Sequence, residues 1–510
     1  MKNNKKWFKK LLRKRLIMVL MILIQLAFVF FAIAYGSKYY SIISTGLGLI
    51  SLIVSLYILS NKSKSAFKLT WIFLILLFPL FGGLLYILFK VQSSTIKFER
   101  RRQAISEHIK PLYTMPSSIT TADADMSNHA PLIKYLEHSA GFPAYSGTDV
   151  KYFESGEAKF ETLLRELRRA EKYIFLEYFI IQEGVMWDSI LEILREKVAE
   201  GVEVRVMYDD MGCFLLLPKN YAKTLESYGI KCTVFNPFRP VFSAIQNNRD
   251  HRKIVSIDGK VAFTGGINLA DEYINVHRRF GHWHDSAIMM RGAAAWSLTL
   301  MFLEMWSTAN GNDEDYVAYQ PELSTTESAV GYVQPYCDTP MDTENVGEQV
   351  YLHILHRARK YIYICTPYLI ADDNMMSALA LAAKSGVDVR IITPHIPDKK
   401  IVHTTTRSYY PDLIEAGVRI YEYTPGFIHS KTFVSDDCIA TVGTTNLDFR
   451  SLYLHFECGA VMYDCPAIAD IKEDFLKTLD KCEEITCSHH KNNLFSRMWR
   501  AILRLYAPLM

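Results

Sequence analysis

The chain has 510 residues, enough for about two to three domains, with a formal net charge of +3 and a hydrophobic share of 50%. So slight a positive balance excludes a globally basic nucleic-acid binder, and the apolar share is high for a purely soluble enzyme. Nine cysteines without a C-x-x-C pair exclude a disulfide framework and read as reduced thiols. Cys482, Cys487, His489 and His490 gather near the end, where a solvated tail is a commoner outcome than a metal site.

The N-terminal region, 1–107, reads as a membrane region. Lys2, Lys5, Lys6, Lys9, Lys10, Arg13, Lys14 and Arg15 are interleaved with Trp7, Phe8, Leu11 and Leu12 at helical spacing. Such a basic amphipathic segment suits an anionic membrane surface. Three apolar runs follow, 16–35, 41–60 and 67–89, each long enough to be read as a transmembrane helix. The first ends in Tyr35-Gly36-Ser37-Lys38, a poor cleavage site, which favours an anchor over a removable signal peptide. The third contains Pro79, Gly82 and Gly83, which membrane helices tolerate but which also mark kinked or re-entrant segments. Lys62, Lys64 and Lys68, and later Lys97, Arg100, Arg101 and Arg102, all read as cytoplasmic by the positive-inside rule. Three full crossings would put the last cluster outside. A third run that dips in or lies in the interface removes the conflict and leaves the catalytic region on the cytoplasmic face.

From Tyr145 the pattern is globular. Glu171 to Ile181 is strand-like, Trp187 to Glu200 has helical spacing, and Gly201 to Asp210 is another strand. The same order returns as Arg359 to Ile370, a helix near Asn374 to Ser385, and Gly386 to His395. Strand–helix–strand units with apolar strands predict largely parallel sheets covered by helices. Polar, irregular residues from Asp313 to Glu327 separate the copies. Gly229 aligns with Gly417, an offset of 188, which falls to 178 further on. The first copy therefore carries a ten-residue insertion between Pro237 and His251, apolar and basic, suited to a lip over a site or to contact with lipid.

The smaller offset belongs to the most informative motif. His251, Lys253, Asp258, Gly265 and Asn268 recur as His429, Lys431, Asp436, Gly443 and Asn446; 429 minus 251 and 446 minus 268 both give 178. One H-x-K pair is weak evidence, but a five-point pattern repeated in register is duplication rather than chance. Two residues apart on a strand, the imidazole and ammonium share one face. The imidazole can attack or donate a proton, and the lysine can neutralise a phosphate oxygen. A second apolar run precedes each glycine, so each copy reads as a hairpin that returns a glycine turn and an amide to the site. Two histidines suit displacement through a phosphohistidine, and the lysines and amides can hold the phosphate without a metal. Asp258 in I-D-G-K and Asp436 in S-D-D also have a plainer reading as turn formers.

This duplicated signature resembles that of the phospholipase D superfamily, and nearly the whole chain from Ser41 on resembles bacterial cardiolipin synthases. The matching pieces include FPLFGGLLYILF, FLEYFII around Glu177, HWHDSAIMMRG, FLEMW, TPYLIAD and NLDFRS, with FE at Glu457. The resemblance implies an α/β fold with two phospholipase D-like sandwich halves, 108–312 and 313–490, related by a pseudo-twofold and preceded by N-terminal transmembrane helices. It implies transfer of a phosphatidyl group from one phosphatidylglycerol to another, giving cardiolipin and glycerol. Phosphatidylglycerol and anionic membrane lipids would be the partners; no nucleic acid, cofactor or metal would be needed. By the same analogy His251, Lys253, Asp258, His429, Lys431 and Asp436 are catalytic, with His251 the nucleophile and His429 the acid and base. Asn268 and Asn446 would bind phosphate. Asp285 and Glu457 would orient the imidazoles, since a carboxylate bonded to histidine fixes its tautomer.

Four features depart from the family pattern. Thr444 stands where serine is common, His455 where asparagine is usual and Ala287 where histidine is common, and the first 35 residues add a span that many relatives lack. At the far end, 491–510, Leu494, Phe495, Met498, Trp499, Ile502, Leu503 and Tyr506 form one face beside Arg497, Arg500 and Arg504. A membrane-docking amphipathic helix and a helix packed on the protein's own surface are equal readings. A phospholipase D-type hydrolase, or a transferase with another acceptor alcohol, is the rival enzyme reading. An inert scaffold is disfavoured because both motif copies are complete.

Overall fold

The computed structural model describes residues 38–78, 82–83, 86, 93–114, 129–237, 247–322, 329–486 and 494–510. The chain divides into two compact units, one containing residues up to Lys97 with Ala501–Leu509, the other most of the remainder.

In the first unit, helix α1 (Lys38–Ser60) and helix α2 (Ser65–Leu77) form a hairpin around Ile58, Ile75 and Tyr86, with Trp71 edge-on to Tyr86 at 5.3 Å. Leu49, Ile50, Leu52, Ile53, Leu56 and Leu59 face outward from α1. Thr70 donates to the Leu505 carbonyl at 2.7 Å, and Phe73 meets Tyr506 edge-on at 6.2 Å. The expectation of transmembrane helices is not met here: among the described residues no helix is long and apolar enough to cross a membrane. The expected span 16–35 lies outside the described residues. In 67–89, α2 has 13 residues and stops before Pro79. Proline cannot donate into the helix ladder, and about 1.5 Å per residue leaves α2 near 20 Å, short of a bilayer core.

The second unit holds two sheets built to one plan. The first half contributes β1 (Asp149–Phe153), β2 (Tyr173–Tyr178), β3 (Glu203–Asp209), β4 (Lys231–Phe235), β5 (Ile254–Ile257), β6 (Val261–Gly265), β7 (His282–His284) and β8 (Ala287–Arg291). The second contributes β9 (Tyr332–Asp338), β10 (Tyr361–Cys365), β11 (Leu369–Ile370), β12 (Asp388–Pro394), β13 (Arg419–Tyr423), β14 (Gly426–Ile428), β15 (Thr432–Ser435), β16 (Ile439–Gly443), β17 (Leu447–Asp448), β18 (Glu457–Tyr463) and β19 (Cys482–Ile485). The sheet orders are β4-β3-β2-β5-β6-β8-β1 and β13-β12-β10-β15-β16-β18-β9, the latter extended by β19 beside β13. The repeat read from the sequence is therefore a repeat of topology.

The sheets are mixed rather than largely parallel. Within these two sheets, among the described residues, β2-β3-β4 and β10-β12-β13 pair in parallel; the hairpins β5–β6 and β15–β16 and the strands beyond them are antiparallel. A tight hairpin reverses the chain without a crossover helix, so the same motif that returns the glycine turn also ends the parallel run.

The cores follow from the patterns. Met186, Trp187, Ile190, Ile193 and Leu194 of the helix Val185–Ala199 are buried against Ile174, Leu176, Val204 and Val206 of the first sheet. Truncating one such side chain, Ile190→Ala, would cost about 2–5 kcal/mol. The helix Ala293–Asn310 is buried on every side from Ala293 to Thr308, as a helix with no polar face must be. It contacts β2, β5, β6 and β8 of the first sheet and β9 of the second. Strands β6 and β8 pack on β16 and β18, so the edges that end the two motif copies meet.

Candidate active site

Each H-x-K segment is extended chain leading into a hairpin strand, and each is fixed by the opposite half. His251 N donates to the Phe456 carbonyl at 2.9 Å, and Phe456 N donates to the Arg249 carbonyl at 2.8 Å. In the second copy, β14 pairs in parallel with β7, Gly426 to His282 through Ile428 to His284, and His429 N donates to the His284 carbonyl at 2.7 Å. The residues that follow Phe456 and His284 are Glu457 and Asp285. The stitching therefore delivers each carboxylate to the other half's imidazole. Glu457 lies 2.9 and 3.0 Å from His251 Nδ1, and Asp285 lies 2.6 Å from His429 Nδ1. Both carboxylates are fully buried. With Nδ1 held, Nε2 of each ring is the atom free for chemistry.

The two histidines share one buried space, since His429 and Lys431 act electrostatically on His251, and Lys253 acts on His429. Lys253 Nζ donates to the His251 carbonyl at 2.6 Å, and Lys431 Nζ donates to that of His429; both lysines are 1% exposed. Alternation along the extended segment turns Arg252 the other way. There it pairs with Glu177, with Asp250 at 3.3 Å, so the residue between the two functional side chains anchors the segment to β2.

The electrostatics suit an anion. Burial pushes Lys431 down to about 7 and Lys253 down to about 8; a bound phosphodiester would restore their charge. Burial and then Lys253 hold His251 well below the usual histidine range, and burial and then Lys431 bring His429 down to about 4. The carboxylates differ. Burial would raise Asp285, but His429 and Lys431 outweigh it and keep the group below its ordinary value. Burial drives Glu457 up to about 8 against the pull of Lys253. The Thr444 hydroxyl donates to Glu457; its counterpart Gly266 has no room for a side chain, because a Cβ there would lie 2.0 Å from Asp285 Oδ1.

The asparagines reach the same region. Asn268 accepts from Ile180 N at 3.1 Å and donates to the Tyr273 hydroxyl at 2.7 Å. Tyr273 in turn lies edge-on to His429, 5.7 Å between ring centres. Asp271 anchors this loop by accepting from Val185 N and Met186 N at the start of a helix, where a carboxylate offsets the helix dipole. Asn446 donates to Asp448 at 3.2 Å, and its Oδ1 is buried without a partner.

Asp258 and Asp436 are not brought to the histidines, which corrects the expectation that they are catalytic. Each sits at the far end of its hairpin strand, seven residues past the histidine in Asp258 and likewise in Asp436. At about 3.3 Å per residue this is of order 20 Å away. Asp258 has φ +54° and accepts from the backbone N–H of Glu171, Lys172 and Tyr173 at 2.8 Å each. Asp436 has φ +52° and accepts from those of Arg359, Lys360 and Tyr361. The plainer reading holds: they are turn residues that lock the hairpin to the start of the neighbouring strand.

His455, noted in the sequence only as a departure, is part of the cluster. Its ring lies 5.7 Å from that of His251, and its Nδ1 is 3.9 Å from Glu457 Oε1. His251, His455 and Glu457 offer atoms within 4.8 Å of one another, the one group among the described residues that could hold a metal ion. The cations acting on His455 (Arg450, Lys253, Arg249 and Lys399) make that space a better home for an anion than for a dication.

Two crossed histidine–carboxylate pairs and two buried lysines on a duplicated α/β frame define a phosphoryl-transfer site of the phospholipase D type. The family model described as cardiolipin synthase, PLD-like domain, matches twice, over residues 163–291 and 351–479, and a phospholipase D-nuclease N-terminal model matches 49–90. Cardiolipin synthase 2 of Bacillus cereus is 35% identical over 455 residues, 89% of this chain and 88% of that one. Cardiolipin synthase of Alkalihalophilus pseudofirmus is 33% identical, over 94% and 98%. An uncharacterised Streptococcus mutans protein is 48% identical, over 89% and 99%. Phosphatidylserine synthase of Haemophilus influenzae shares the fold at a TM-score of 0.53 and 17% identity, covering 71% of this chain and 93% of its own. The chain belongs to the cardiolipin synthase family of the phospholipase D superfamily.

Proposed function

We propose that this protein is a cardiolipin synthase that carries a phosphatidyl group from one phosphatidylglycerol to a second through His251. The observation that carries the reading is the crossed pairing of His251 with Glu457 and His429 with Asp285 beside two buried lysines, in a chain of this family. In the first step a bond forms between His251 Nε2 and phosphorus. The phosphorus–glycerol bond breaks, and His429, held in its charged form by the bound phosphodiester anion together with the ionised Asp285, gives its Nε2 proton to the departing oxygen. In the second step His429 takes the proton from the hydroxyl of the incoming lipid, whose oxygen displaces His251. One phosphodiester replaces another, so no nucleotide is consumed and the reaction is reversible. Lys253, Lys431, Asn268 and Asn446 hold the phosphoryl oxygens. The ionised Asp285 supports the imidazolium that His429 must become, which favours His429 as the acid and base and His251 as the nucleophile.

The substrates are lipids, and several features support a membrane setting for the enzyme. Helix α1 presents a row of leucines and isoleucines outward. The terminal helix Leu494–Tyr506 exposes Leu494, Phe495, Met498, Trp499 and Ile502 while burying Leu503, and Arg497 lies beside that exposed face. Attachment through the N-terminal runs, docking by this helix, and a catalytic unit on the cytoplasmic face follow from the charge distribution in the sequence.

The decisive assay uses purified full-length protein in mixed micelles with phosphatidylglycerol labelled in its headgroup glycerol, a chelator and no nucleotide. Labelled cardiolipin with one free glycerol per molecule formed is the expected product. Phosphatidic acid in its place would make the protein a hydrolase. Loss of all activity on chelation, restored by a divalent ion, would contradict the metal-free route.

A further inference from the structure

His455 is half-buried, and both nitrogens of its ring are shut away from solvent. Its side chain is 11% exposed, and neither ring nitrogen has a hydrogen-bond partner among the described residues. An unsatisfied buried polar group is costly, and such groups persist where a ligand supplies the missing partner. The backbone fixes the ring firmly: His455 N donates to the Arg450 carbonyl at 2.9 Å, and the next two residues carry the stitch to Arg249 and the carboxylate of Glu457. The ring is therefore held 5.7 Å from that of His251.

The surroundings select the ligand. Arg450, Lys253, Arg249 and Lys399 all act on the ring, and burial together with these cations keeps it neutral. A neutral imidazole has one N–H to donate, and in a field of cations the favoured acceptor is an anionic oxygen. The Glu457 carboxylate, at 3.9 Å, is too far for a hydrogen bond.

We propose that His455 is a substrate-contacting residue whose ring N–H donates to an oxygen of the phosphoryl group held beside His251, completing the oxyanion pocket formed by the two lysines and two asparagines. The inference rests on the phosphoryl-transfer reading of the site. It adds a residue from the segment after the short helix Phe449–Tyr453, on the second half, that serves the histidine of the first. The carboxamide that is usual at this position also presents an N–H, so the donor is retained while the side chain changes.

The test is binding of tungstate, a non-reacting phosphate mimic, to the full-length protein in detergent, measured by calorimetry. Loss of one charge-assisted hydrogen bond corresponds to roughly ten- to hundredfold weaker binding. His455→Leu should therefore weaken tungstate by at least tenfold, while His455→Asn stays within about threefold of wild type. A residue acting only through the His251–Glu457 pair would lose its effect once that pair is gone. The tenfold loss should thus persist when His455→Leu is placed on His251→Asn. Equal affinity in wild type and His455→Leu, equal weakening in the leucine and asparagine variants, or disappearance of the effect on the His251→Asn background would each overturn the proposal. Wild type that makes cardiolipin with His455→Leu unchanged defeats this inference alone; wild type that binds no tungstate defeats the reading on which it rests as well.

Discussion

Lys431 and Lys253 set the upper pH limit of the site. Burial brings them to about 7 and about 8, so both are charged below those values and lose their protons as pH rises through them. The phosphate-holding charge is present on the acid side and lost on the alkaline side. The profile of kcat/KM, which reports the free enzyme, should fall between about pH 7 and 8, and that of kcat should hold to higher pH because the bound phosphodiester favours the ammonium. A kcat/KM flat to about pH 9 would show lysines with ordinary values, near 10.4. At the same scale, Asp258→Ala should cost stability rather than chemistry. It strips the acceptor from three backbone N–H groups and leaves a non-glycine at positive φ, about 3 kcal/mol together. Thermal unfolding should show the loss, with kcat per folded molecule within about threefold of wild type; a loss of 10²-fold or more would return Asp258 to the chemistry. The histidines, lysines and asparagines were legible in the sequence because the duplicated spacing isolates them. The aspartates share that spacing for a different reason: a hairpin needs its turn pinned as much as a site needs its nucleophile. The crossing of Asp285 to His429 and of Glu457 to His251 was not legible, because it is set by contacts 144 and 206 residues apart. Gly266 carries a related expectation. A methyl there would meet Asp285 at 2.0 Å, so Gly266→Ala should lower kcat by displacing the carboxylate that orients His429, and Asp285→Asn should lower it to a similar extent. A Gly266→Ala enzyme with wild-type kcat would show that Asp285 is not needed in that place.

At the scale of elements, most ends in both halves lie within about two residues of where periodicity puts them, but β2 stops three residues short of Ile181, and Arg359–Ile370 divides into β10, ending at Cys365, and β11. Glu171 to Ile181 is β2 at Tyr173–Tyr178, and Trp187 to Glu200 is the helix Val185–Ala199. Parallel pairing was over-extended because local pattern does not tell a strand entering from a helix from one leaving a hairpin. The apolar runs near the N-terminus read as spans by their apolar character and length. Length does not register the stop of α2 before Pro79. The terminal helix Leu494–Tyr506 matched its pattern, with Phe495 78% and Trp499 49% exposed. If it docks on anionic lipid, Trp499 fluorescence should shift to the blue with phosphatidylglycerol vesicles and not with phosphatidylcholine alone. Phe495→Ser should weaken binding roughly tenfold or more, since a buried phenylalanine contributes about 1.5–3 kcal/mol. No shift with either vesicle would leave the helix as a surface element of the protein.

On the scale of the whole molecule, duplication produces one site from two halves rather than two sites. Each half supplies a histidine and a lysine, and each supplies the carboxylate bonded to the other half's histidine. The symmetry is broken by Thr444 against Gly266, by the raised Glu457 against the lowered Asp285, and by His455, which stands beside His251 alone. Such a site should carry a single covalent intermediate. The measurement that tests this most directly is intact-protein mass spectrometry after acid-free quenching, with a phosphatidyl donor bearing a good leaving group. His429→Asn should accumulate one phosphatidyl group per chain, located on His251, and His251→Asn should accumulate none. Adduct on His251→Asn but not on His429→Asn would reverse the roles, and two groups per chain, or none on either variant of an active enzyme, would contradict a shared site working through one phosphohistidine.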